Sequence, residues 1–149
     1  MDQNVSIILF FAAILIFAGL LFTIIALTKR GPRQLDVEKY RAEWLKIEGK
    51  LRRDDEASHQ LCVLNADKLL DRALIERGVE GKTMGERMKK MQAVWTDANA
   101  VWSAHKLRNH IAHEQNVSIN YDASRRALNC FKQALNKTKS WCFIIFKNL

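Results

Sequence analysis

The sequence predicts an all-α protein: an antiparallel four-helix bundle preceded by one transmembrane helix. Three observations carry that expectation. The 149 residues include a single proline, Pro32, and only six glycines, so the chain is poor in turn formers. Apolar residues recur at spacings of three and four over most of its length. One stretch, Val5 to Leu27, runs for 23 residues without a charge. The length admits one domain with an anchor, and not two full domains.

As a helix rising 1.5 Å per residue, the uncharged stretch reaches about 34 Å, enough for a hydrocarbon core of about 30 Å. A cleaved secretory signal would open with a basic segment and carry a shorter apolar run, whereas here the one charged side chain before the stretch is Asp2. Lys29, Arg30 and Arg33 follow it, and no Lys or Arg comes before it. The positive-inside rule therefore predicts a single pass of the inner (plasma) membrane, with the N-terminus outside and the rest cytoplasmic. The expected organisation is an anchor over residues 1–31 (span about 5–27), a linker over 32–35 opened by the Gly31-Pro32 break, and a helical domain over 36–149. The lipid bilayer is thus the first partner.

Asp36 reads as an N-cap, and Val37, Tyr40, Trp44, Ile47 and Leu51 recur on one face of a first bundle helix. A second helix is predicted from about Asp54 to Arg77, with Cys62, Ala66, Leu69 and Ala73 on its apolar stripe and Gly78 as its left-handed C′ residue. The segment Gly78-Val79-Glu80-Gly81-Lys82-Thr83 has the wrong spacing and context for a phosphate-binding P-loop. Thr83 with Glu86 fits a capping box that opens a short basic helix. A third main helix is predicted from about Asp97, with Val101, His105, Arg108 and Ala112 on one stripe and Trp102, Asn109 and His113 on the next. QNVSIN connects it to a last helix opened by Asp122 or Ser124, with Ala127, Leu128, Phe131, Ala134 and Leu135 apolar. Short connections between amphipathic helices predict antiparallel neighbours. The apolar tail SWCFIIFKNL is too short to span a membrane, and caps the bundle, lies at the interface or forms a dimer contact.

The formal net charge of +8 is unevenly spread. Arg33 to Gly81 holds 10 Lys/Arg against 11 Asp/Glu, and Lys82 to Leu149 holds 12 against 4. The basic half favours a polyanion, RNA or an anionic membrane surface, as partner. Cys62, Cys130 and Cys142 show no metal-ligand spacing and read as reduced, mostly core thiols. No metal or cofactor is expected.

The basic half also carries Arg108-Asn109-His110-Ile111-Ala112-His113, followed by Glu114. Cleavage of RNA by its own 2′-OH needs a base for the hydroxyl proton, an acid for the leaving 5′ oxygen and a cation for charge building on phosphorus. His113 is suited to proton transfer near pH 7, the planar fork of Arg108 matches two phosphate oxygens, and Asn109 can orient either partner. Lys106, His110, Arg125, Arg126 and Lys132 are the candidate RNA-backbone contacts around them. On one helix, residues five apart are turned by about 140° from eclipsed, so Arg108 and His113 share a face only if the helix unwinds or a second chain completes the site. Asn109 and His113, four apart, lie together. A helix C-terminus also attracts Arg and His through its dipole alone, and His105 and His110 by themselves read as structural.

LRNHIAHE resembles the R-x4-6-H signature of the HEPN superfamily, including the polar residue after the arginine. The resemblance covers about Asp36 to Lys139 and includes the motif's place between the last two helices of a four-helix framework. It implies a metal-independent endoribonuclease, active as a homodimer in which two motifs face each other, leaving a 2′,3′-cyclic phosphate and a 5′-OH. Arg108 and His113 match the catalytic pair, and Asn109 the assisting position. A nuclease of this kind in a defence or stress role implies an antitoxin or other regulator as a further partner. The alternative is a non-catalytic, membrane-tethered helical module that binds RNA or anionic lipid through the basic half.

Overall fold

The computed structural model describes residues 3–28, 35–114 and 116–140. In them the chain is helical without a strand: α1 Gln3–Thr28, α2 Val37–Glu48, α3 Glu56–Glu76, α4 Met84–Met91, α5 Ala98–His113 and α6 Tyr121–Ser140. Two compact units result, Met1–Gly31 and Pro32–Leu149.

The first unit is α1. Its candidate span is Val5–Ile25, with a mean hydropathy of 3.0 and none of it buried in protein. Every large apolar side chain from Val5 to Ile25 is exposed. A helix apolar on all sides, with no protein around it, is long and apolar enough to cross a membrane. The polar side chain of Thr23 is satisfied locally, because its hydroxyl donates back to the carbonyls of Gly19 and Leu20. Lys29, Arg30 and Arg33, the Gly31-Pro32 break and the tail from Trp141 lie outside the described residues.

In the second unit, caps set the helix boundaries. Asp36 Oδ1 accepts from the Lys39 amide at 3.0 Å to open α2, whose Tyr40, Trp44 and Ile47 are buried. Val37, expected on the same stripe, is exposed in the first turn. Asp55 caps α3 through the Ser58 amide. At the other end Gly78 takes φ +77°, with its amide on Ile75 O and the Val79 amide on Leu74 O, a Schellman closure. Thr83 caps α4 through the Glu86 amide, although Glu86 Oε2 accepts from Lys82 N and not from Thr83 N as a full capping box requires. Asp97 caps α5. The cap of α6 is Asn120, whose Oδ1 accepts from Ala123 N at 2.8 Å. The expected Asp122 and Ser124 therefore stand inside the first turn, where the Ser124 hydroxyl donates back to Asn120 O.

α3 is the hub, touching α2, α4, α5 and α6. It runs antiparallel to α2: Cys62 meets Ile47 near one end and Glu76 meets Lys39 near the other. α5 and α6 are also antiparallel, with Trp95 just before α5 donating to Thr138 at the far end of α6. α3 and α6 run parallel, joined by His59 to Ile119 at their starts and by Arg77 to Lys139 at their ends. The core around this pair includes Val63, Ala66, Leu70, Ala73, Leu128, Phe131 and Leu135. Cys62 is buried, Cys130 is half-buried, and both are free. Burial pushes both thiols up, which keeps them protonated and weakly nucleophilic.

Candidate functional site

α5 continues unbroken to His113 and stops because Glu114 turns extended, at φ −104° and ψ 142°. Arg108 and His113 thus belong to one regular helix, and within a single chain they point in different directions.

Arg108 turns inward to α3. Its Nε lies 3.1 Å from Asp67 Oδ2, within ion-pair range but off the axis needed for a hydrogen bond. Its Nη1 donates to Asn109 Oδ1 at 3.0 Å. About a third of the Arg108 side chain remains exposed, against 3% for Asp67. The other oxygen of that carboxylate lies 2.7 Å from His105 Nδ1. An ionised carboxylate only accepts, so His105 Nδ1 is the donor in this contact. The indole of Trp102 meets the His105 ring edge-on at 6.1 Å.

His113 and Asn109 turn outward. With Lys106, His110 and Glu114 they line a shallow groove of about 270 Å³ at the end of α5. Across it His110 Nδ1 lies 2.6 Å from Glu114 Oε1, both side chains more than half exposed. The pairing of Asn109 with His113 is the one the spacing predicts. Arg108 is not part of the lining and reaches the groove only through the amide of Asn109.

The expected RNA contacts divide between surfaces. Lys106 and His110 belong to the groove. Lys132 faces α2, paired with Glu48 Oε1 at 2.8 Å and lying over the Trp44 ring. Arg125 and Arg126 are exposed, and Arg125 folds over Tyr121, donating to its hydroxyl at 3.3 Å. Burial works to raise the Glu48 carboxyl, but the Lys132 hydrogen bond, the nearby Trp44 indole N–H and the charges of Lys132 and Arg125 hold it below the ordinary range.

Sequence reading missed Asp67. Its one signal is position: a carboxylate directly after Ala66, on the side of α3 that carries the apolar stripe, needs a partner from elsewhere. Among the described residues no group of three or more His, Cys, Asp or Glu is placed to hold a metal ion. No protein-family model matches this chain, and no curated protein or solved structure does. The chemistry of the site is therefore argued from its own residues.

Proposed function

We propose that the helical domain is a four-helix, HEPN-like, metal-independent endoribonuclease that cuts RNA across a homodimer, held on the cytoplasmic face of the inner membrane by α1. The observation that carries this reading is the last turn of α5: Asn109 and His113 share an open groove with Lys106, while Arg108 stands one residue away, bonded to Asn109. In one chain the guanidinium and the exposed imidazole face apart. A two-fold axis beside the groove brings His113 of one copy to Arg108 of the other. One imidazole then takes the 2′-OH proton as the O2′–P bond forms, and the other, protonated, gives a proton to the 5′ oxygen as its bond to phosphorus breaks. Arg108 balances the charge that gathers on the phosphoryl oxygens. Lys106 and His110 hold the flanking backbone, with the exposed Arg125 and Arg126 adding to the field that draws RNA in, while Lys132 is paired with Glu48. The basic flank Lys29, Arg30 and Arg33 supports the cytoplasmic placement.

One observation favours a second reading, a tethered RNA-binding module that does not cut: Arg108 already faces a buried carboxylate. The test is RNA cleavage by the full chain in detergent with EDTA present. We expect 2′,3′-cyclic phosphate ends, lost on His113→Ala. Scission that persists in that variant removes the site, and salt-sensitive binding without scission selects the module.

A further inference from the structure

Asp67 lies near the middle of α3, among Val63, Ala66 and Leu70, and is 2% exposed. An ionised side chain there is costly to desolvate, and a well-packed apolar residue of similar size commonly serves stability as well or better. Stability is thus a weak reason for a carboxylate at this place. Its two oxygens are divided between two α5 side chains, Nδ1 of His105 at 2.7 Å and Nε of Arg108 at 3.1 Å. Arg108 is bracketed as a result. Its Nε edge faces Asp67, Nη1 is engaged by Asn109, and Asn109 in turn lines the groove with His113. A flexible side chain with many rotamers is held in one plane next to the groove, the preorganisation that a cation for a developing phosphorane charge requires.

We propose that Asp67 is a positioning residue of the site: from the core of α3 it sets the plane of the Arg108 guanidinium against Asn109 and, through it, the groove. The proposal rests on the ribonuclease reading for its effect on rate, but its geometric content is independent of that reading. His105, seated on the same carboxylate, keeps Asp67 from turning wholly toward Arg108 and so contributes to the fixed angle.

The experiment compares the full chain in detergent with Asp67→Asn, Asp67→Glu, Arg108→Ala and the Asp67→Asn/Arg108→Ala pair. Asparagine conserves volume but presents an NH2 to one of two donors. Asp67→Asn is expected to unfold close to the wild-type temperature and to lower kcat by on the order of 100-fold, the scale of an ångström-sized misplacement, with KM little changed. Asp67→Glu, which restores the charge, recovers part of that loss. In the double variant, Asp67→Asn adds nothing to Arg108→Ala, because the one acts through the other. Full activity in Asp67→Asn, or losses that multiply in the pair, overturns the proposal. If wild-type protein cuts no RNA, the ribonuclease reading fails, and positioning is read from the Arg108 Nε–H resonance. That signal is expected to be ordered in wild type and averaged in Asp67→Asn. An unchanged signal overturns the proposal on its own.

Discussion

Two arginine–aspartate pairs hang from α3 one turn apart, and they are built differently. Arg87, from α4, meets Asp71 with two aligned hydrogen bonds, Nε to Oδ1 at 2.8 Å and Nη2 to Oδ2 at 2.9 Å, while Nη1 donates to Gly81 O at 2.6 Å. Its side chain is 8% exposed. Arg108, from α5, meets Asp67 off axis, gives one hydrogen bond to a neighbouring amide and keeps about a third of its side chain in solvent. A guanidinium whose donors are fixed inside the protein has little left for a ligand. Here the more fully bonded arginine sits with a carboxylate that water reaches, and the arginine with donors to spare sits on the carboxylate that water does not. That inversion separates an arginine that fastens α4 and its loop from one that is held but available.

The sharpest break between the two pairs is expected in Arg108→Ala. On the proposed ribonuclease reading, RNA cleavage should fall by roughly 10²- to 10⁴-fold, whereas the fold should lose about 2 kcal/mol: Asp67 loses a counter-charge but keeps the His105 hydrogen bond, and the truncated, part-exposed side chain lets water reach it. Arg87→Ala should do the reverse. Removing a nearly buried guanidinium that bonds through all three nitrogens is expected to cost about 3 kcal/mol, read as a lower urea midpoint, while cleavage per folded molecule stays at the wild-type level. If Arg87→Ala abolishes cleavage in protein that is still folded, or Arg108→Ala unfolds the domain, the contrast between the pairs is wrong.

How far each pair was legible in the sequence follows the same division. Caps are local, so Asp36, Gly78, Thr83 and Asp97 mark helix ends that the structure has within a residue or so. α6 was less legible, since Asn120, Asp122 and Ser124 all favour caps and lie within five positions. The choice is made at a distance: Ile119 is held by His59 through its carbonyl and by Glu56 through its amide, which fixes where the connection ends and Asn120 begins the helix. Helical spacing was enough to put Asn109 beside His113 and to turn Arg108 away. It could not say that Arg108 faces Asp67, because that pair joins α5 to α3 across 40 residues of intervening sequence. The same limit scattered the expected RNA contacts: exposed charges on α6 carry no sign of whether α2 or α5 lies beside them, and Lys132 lies beside α2.

A third polar cluster on α3 sharpens the comparison from the structural side. His59 is 4% exposed, with Nδ1 3.0 Å from Ile119 O and Nε2 2.7 Å from Arg52 O. Its hydrogen-bond partners are backbone carbonyls, its ring meets Tyr121 edge-on at 5.9 Å, and none of these residues lines the groove. His59→Ala leaves two carbonyls without that contact and opens a cavity, at an expected cost of about 2 kcal/mol. Amide exchange should rise at residues 117–119, and the cleavage rate of the folded fraction should not move. A selective loss of cleavage with unchanged stability would instead join His59 to the site and dissolve the distinction between polar groups that fasten backbone and those that hold functional side chains.

The smallest expected effect belongs to the exposed pair, Glu48 with Lys132, which lies outside both classes. Burial raises the Glu48 carboxyl, but the Lys132 hydrogen bond, the nearby Trp44 indole N–H and the charges of Lys132 and Arg125 outweigh it and leave the folded group below its ordinary value of 4.5. A depressed carboxyl contributes stability above the unfolded value and loses it as pH falls through the folded one. Both side chains are about two-fifths exposed, so solvent screening keeps the contribution under about 1 kcal/mol. In urea titrations the advantage of wild type over Glu48→Gln should therefore be present at about pH 7 and shrink as pH falls through and below the ordinary carboxyl range. An advantage independent of pH over that range would mean that Glu48 acts by packing on Trp44 rather than by its charge. Lys132 would then be a free cation of the basic surface, nearer to the exposed Arg126 in character than to the fastened Arg87.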